Sequence, residues 1–74
     1  MTATLTAAEL CDRASALALR NGPGDRAEAK RLYARALAAD ASHAESWFNV
    51  GLMREEDGDA AGAAEAYERC VTAR

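Results

Sequence analysis

Apolar positions along the chain recur with the period of a helix. Over residues 26–39 the set Ala29, Leu32, Tyr33, Ala36 and Leu37 returns at spacings of three and four, which is one buried stripe. Trp47, Val50, Gly51 and Met53 form a second stripe over residues 43–57. Polar punctuation sets the ends. Thr6-x-x-Glu9 and Ser42-x-x-Glu45 read as capping boxes, in which a hydroxyl takes an orphan amide and a glutamate reaches back. Asp25-x-x-Glu28 reads as an acidic helix start, and Asp59 as the cap of a last helix, with Gly62 where a glutamate is expected. Asn21-Gly22-Pro23-Gly24 and Gly58 are chain-reversing stops, whereas the end near Asp40 carries no glycine. These signals predict helices at 7–20, 26–39, 43–57 and 60–73.

The pattern repeats. A shift of 34 positions brings Gly24 onto Gly58, Asp25 onto Asp59, Ala29 onto Ala63 and Tyr33 onto Tyr67. The same shift brings Arg35 onto Arg69, with Ala36 and Leu37 falling on Cys70 and Val71. Alanine matches come easily in an alanine-rich chain, but the glycine, aspartate and tyrosine matches do not. Short connections force successive helices antiparallel. The expected fold is therefore all-α: one domain over 1–74, built of two tandem helical hairpins at about 7–41 and 42–74. Gly51, costly inside a helix by about 1 kcal/mol relative to alanine, implies a close neighbour, for which Tyr67 is the bulky candidate.

Composition agrees with helix. Half of the residues are hydrophobic, yet isoleucine is absent and much of the apolar content is alanine, which favours closely packed helices over a thick β core. The net charge of −3 is uneven, with six bases against five acids in residues 1–40 and three against seven in residues 41–74. Lys30, Arg31 and Arg35 share a helix with Glu28 and have no aromatic partners, so they read as a solvated face and not a nucleic-acid surface. The leading Met1-Thr2-Ala3-Thr4-Leu5 has neither the basic nor the apolar segment of a signal peptide, and no stretch approaches a membrane span. Cys11 and Cys70 are isolated thiols, which implies a reducing compartment, the cytoplasm. The alanine and arginine bias points to a GC-rich bacterial genome.

Residues 44–74 resemble a tetratricopeptide repeat, whose pattern runs W-x-x-L-G-x-x-Y and then A-x-x-x-F. The chain reads Trp47-x-x-Val50-Gly51-x-x-Arg54 and then Ala63-x-x-x-Tyr67, with Arg54 in place of the aromatic. Residues 10–43 resemble a second, looser copy. There Leu10, Ala14 and Leu17 take the Trp, Gly and Tyr places, if about three extra residues sit in the Asn21-Gly22-Pro23 turn; Ala41 stands where proline is usual.

The resemblance implies an interaction module, in which the first helix of each hairpin lines a groove for a partner peptide or helix. The implied groove positions are Glu45, Phe48, Asn49, Leu52 and Glu55, matched in the first repeat by Cys11, Asp12 and Ser15. Asn49 stands where such repeats often hold a peptide backbone. The basic residues with which chaperone-binding members grip a terminal carboxylate are missing, so no carboxylate clamp is expected. A second reading is self-assembly. Ala64, Tyr67, Cys70 and Val71 at one end, and Leu10, Ala14 and Leu17 at the other, are expected to leave open apolar faces through which copies stack or form a two-fold dimer. Catalysis is not expected, since the single His43 sits at a helix start without a nucleophile in view. The acidic run Glu55, Glu56, Asp57 and Asp59 lacks the spacing of a calcium loop and reads as a solvated turn, so neither metal nor cofactor is expected.

Overall fold

The computed structural model describes residues 4–73; residues 1–3, the start of the segment read as lacking signal character, and residue 74 lie outside the described residues. Four helices follow in order, α1 (Ala7–Arg20), α2 (Asp25–Ala39), α3 (Ala44–Glu56) and α4 (Ala60–Ala73), with no strand among the described residues. α1 packs on α2 and α3 on α4 as two hairpins, and α3 rests in the notch between α1 and α2.

The ends obey local chemistry, with two departures from expectation. Thr6 and Glu9 form a reciprocal capping box, Glu9 N–H donating to Thr6 Oγ1 at 3.1 Å and Thr6 N–H to Glu9 Oε1 at 2.9 Å. Such a cap contributes about 1 kcal/mol. Asp59 Oδ1 caps α4 by accepting from Gly62 N–H at 2.9 Å. A β-carbon at Gly62 would lie 2.1 Å from Asp59 Oδ2, so any other residue there would require the carboxylate to turn. The first departure is at α3, where the Ser42 box does not form. Ser42 instead bonds Asp40 Oδ1 through its amide and hydroxyl, and the cap moves one residue on to His43, whose Nδ1 takes Ser46 N–H. The second is at α2. Its cap is Gly24, held at φ +80° with no side-chain bond, because Asp25 turns backwards to Arg20 and to Gly22 N–H.

Asn21 at φ 51° and Gly58 at φ +81° end α1 and bridge α3 to α4 in the left-handed region. The first helices of the two hairpins begin at Ala7 and Ala44, 37 positions apart, while Gly24 and Gly58 stand 34 apart. The first hairpin therefore holds three additional residues; one lengthens α1 beyond α3 and the others widen the turn.

The first hairpin and α3 share one core of Leu10, Cys11, Ala14, Leu32, Tyr33 and Met53, together with buried alanines. The second hairpin is joined by smaller groups: Ser46, Gly51, Ala63, Ala66 and Cys70 are all buried. At Gly51 a β-carbon would meet Tyr67 Cε1 at 2.5 Å, so the glycine exists to admit that ring, as its cost in the helix implied. Trp47 is only half-buried. It spans the junction of the hairpins, donating Nε1–H to Ala41 O at 2.8 Å and stacking under the Arg69 guanidinium at 5.1 Å. Arg54, the departure from the repeat pattern, ties α3 to the first turn of α4 by donating to Gly62 O at 3.0 Å.

The Gly51–Tyr67 fit predicts a sign change in a double-mutant cycle. Gly51→Ala should destabilise the native background by about 1–3 kcal/mol through overpacking. In a Tyr67→Ala background it should stabilise by about 1 kcal/mol through helix propensity. Urea denaturation reads both, and the same sign in both backgrounds would refute the close approach.

The Arg20 guanidinium, and then the Gly22 amide, hold the Asp25 carboxyl down to about 2, from 3.8. A carboxyl depressed on folding stabilises above its unfolded value, and that stabilisation fades as pH falls from about 4 to about 2. Asp25→Asn should therefore lower the melting temperature at pH 7 and converge on the native protein near pH 2. Melting curves followed by circular dichroism at pH 7, 4 and 2 check this; a constant offset would refute it.

Candidate interaction surface

The seating of α3 sets the surface. Met53 enters the core of the first hairpin and Val50 packs against it. Around this apolar contact lies a polar lock. Arg26 donates to Glu56 Oε1 at 2.8 Å, to Asp57 Oδ1 at 2.7 Å and to the Met53 carbonyl at 2.8 Å, and Lys30 reaches Asp57 Oδ2 at 2.7 Å. The ammonium of Lys30, and then the guanidinium of Arg26, lower the Asp57 carboxyl from its ordinary value. The acidic run is exposed, as a solvated turn should be, but its carboxylates are also engaged. Glu56 and Asp57 join the hairpins, Glu55 accepts from the Tyr67 hydroxyl at 2.7 Å, and Asp59 caps α4. Lys30 is correspondingly not a free face residue, and Arg31 pairs with Glu28 on its own helix.

Between α1 and α3 runs a groove lined by Ser15, Ala18, Leu19, Asn49 and Leu52. Of the expected partner-binding residues, Ser15, Asn49 and Leu52 lie in it. Ser15 Oγ is hydrogen-bonded to the Tyr33 hydroxyl at 3.0 Å, and Asn49 Nδ2 donates to Cys11 Sγ at 3.7 Å, so both polar groups also brace the walls. Leu19, 87% exposed, was missed by the sequence reading because it lies off the buried stripe of α1. Glu45 is exposed in the first turn of α3, where a carboxylate suits the helix dipole. Phe48 is 44% exposed and Leu52 40%.

Several positions depart from expectation. Cys11, expected in the groove, is fully buried under α3, while Asp12 is exposed. Leu10 and Ala14 leave no open face, being packed in the first core, with Leu17 half-buried against it. Cys70 is buried, and Tyr67 is half-covered within its own hairpin, its ring 5.8 Å from that of Phe48. Ala64 remains exposed and Val71 is 73% exposed. Among the described residues the expected open apolar face is thus found at the α4 end and not at the α1 end.

The two tyrosines explain why. Tyr33 is 2% exposed, and its hydroxyl is pushed upward in pKa chiefly by that burial. Tyr67, its counterpart 34 residues on, is raised first by its bond to Glu55 and stays half-open. The difference is α3, which covers Tyr33 and Leu37, while no described residue covers Tyr67 and Val71 in the same way.

No protein-family model, curated protein or solved structure matches this chain. What it can do must be read from its own surface. Among the described residues no group of three or more His, Cys, Asp or Glu is placed to hold a metal ion, and no helix is long and apolar enough to cross a membrane.

If Arg26 is the polar hub between the hairpins, Arg26→Ala should cost about 1–2 kcal/mol, with a smaller loss at high salt. Urea melts at two ionic strengths test this, and an unchanged midpoint at low salt would show the lock to be dispensable.

Proposed function

We propose that this chain is a tetratricopeptide-type interaction module, a non-enzymatic adaptor that holds a peptide or helix of a partner protein on the side lined by α1 and α3. The observation that carries the reading is the display of Leu19, Phe48 and Leu52 on the first helices of the hairpins. These side chains contribute nothing large to the core, and apolar groups gathered off the core stripe are what a partner contact uses. Asn49 at the groove wall offers an amide to a bound backbone. The 34-residue period and the Gly51–Tyr67 fit support the family reading. The separately buried free thiols Cys11 and Cys70 suit a cytoplasmic setting.

Self-assembly is the second reading, and the exposed Ala64 and Val71 favour it at one end. End-to-end stacking finds less support at the other. The outward positions of α1 that correspond to the α3 residues seated on the first hairpin are Glu9, Asp12, Arg13 and Ala16, three of them charged.

Capture from cells of origin should retain a defined protein partner with the native chain and lose it with Phe48→Ala or Leu52→Ala. Leu52→Ala should melt within about 1 kcal/mol of the native protein, and Phe48→Ala, whose ring also packs on Tyr67, within about 2 kcal/mol. Identical partner profiles for native and variant chains would overturn the reading.

A further inference from the structure

The second hairpin repeats, uncovered, the seat that α3 occupies on the first. On the first hairpin that seat is made by Cys11 and Ser15 of α1 with Arg26, Lys30, Tyr33 and Leu37 of α2. The offset of 37 for the first helices and 34 for the second carries these positions onto Phe48, Leu52, Ala60, Ala64, Tyr67 and Val71. Every one of the six is apolar or aromatic, and Phe48, Leu52 and Val71 are the large exposed hydrophobics of this hairpin. The face therefore takes the place of a helix seat in the repeat and has more apolar character than the seat already filled.

Its charge is reversed. The first seat carries two cations, Arg26 and Lys30, which bind Glu56 and Asp57 at the end of the seated helix. The second has alanine at both places. It has carboxylates instead, Glu55 and Glu68, where the first hairpin has Ala18 and Ala34. A helix of α3-like charge would meet repulsion there. A helix of opposite charge would be held as α3 is held, with the signs exchanged.

We propose that the face formed by Phe48, Leu52, Tyr67 and Val71 docks an amphipathic helix of a partner protein, its apolar ridge flanked by lysine or arginine, in the manner of α3 on the first hairpin. This inference rests on the interaction-module reading and adds a second surface to it, meeting the α1–α3 groove at Leu52. A second copy is a poor occupant. Its α3 is already seated, the corresponding face of its α1 is charged, and a two-fold pairing would set one acid-rimmed face against another in chains of net charge −3.

Two synthetic peptides test the proposal on the full chain. One has the sequence of residues 43–57; the other carries lysine at positions 45, 55, 56 and 57. The lysine peptide should bind at least about tenfold more tightly, a difference set by charge and weakened by salt. Its binding should perturb the backbone NMR signals around Phe48 and Val71. Val71→Glu and Glu68→Lys, both at exposed positions, should keep the native circular dichroism and each weaken that binding about tenfold or more. Equal affinities, preference for the acidic peptide, or no binding of the lysine peptide would overturn the inference. So would a dimer by light scattering that Val71→Glu dissociates. Perturbations confined to Leu19 and Asn49 would overturn it while leaving the groove reading intact; peptide binding nowhere on the α1–α3 side, with unchanged capture by Phe48→Ala, would remove both.

Discussion

Seating α3 in the notch between α1 and α2 is the contact on which this molecule depends. Each hairpin alone is a pair of helices with one covered stripe and one open side, which is too little buried surface for a chain of this length to hold a fold. Met53 and Val50 carry the apolar part of the contact, and Arg26 and Lys30 clamp the acidic end of α3 around it. The combination is economical because the polar groups do two jobs. Arg26 gives the Met53 carbonyl, which already accepts from the Asp57 amide, a second donor, while neutralising carboxylates that would oppose the helix dipole.

The two hairpins are unequal copies, and their differences follow from position. In the first, the tyrosine is buried, its hydroxyl is met by Ser15, and the neighbouring positions are cationic because acids lie opposite. In the second, the same tyrosine turns against Gly51 and Phe48 and gives its hydroxyl to Glu55, and the cations are replaced by alanine. A residue pattern that looks like loose conservation along the chain is thus a record of which side of each hairpin has a neighbour. The small residues at the α3–α4 contact have the same logic: they bring two backbones close where a larger core would hold them apart.

The groove and the end face adjoin at Leu52, so a polar-walled channel lies beside an apolar, acid-rimmed face. Ser15 and Asn49 brace the channel through Tyr33 and Cys11, which holds their side chains in place.

Helix number, helix bounds to within a residue, the hairpin pairing and the Gly51–Tyr67 contact were all legible along the chain, because each depends on neighbours within a turn or on a period repeated twice. Of the site, Leu52 and Phe48 were legible as apolar groups off the buried stripe. Other features, the exposure of Leu19 among them, were not. Ser42 lost its cap to His43 because Asp40 Oδ1 takes the Ser42 amide that the Glu45 carboxylate would have needed and also holds the hydroxyl, a choice between local bonds of similar strength. The acidic run became an inter-hairpin lock through partners 27 to 31 positions away. Cys11 passed from groove to core because α3 lies on it. The sequence by itself determined which residues form helices and which faces they would bury, since those follow from spacing and from caps. Only the tertiary structure decided which buried-type face received a neighbour, because that depends on how one hairpin docks on the next, and it left the seat at Phe48, Tyr67 and Val71 open.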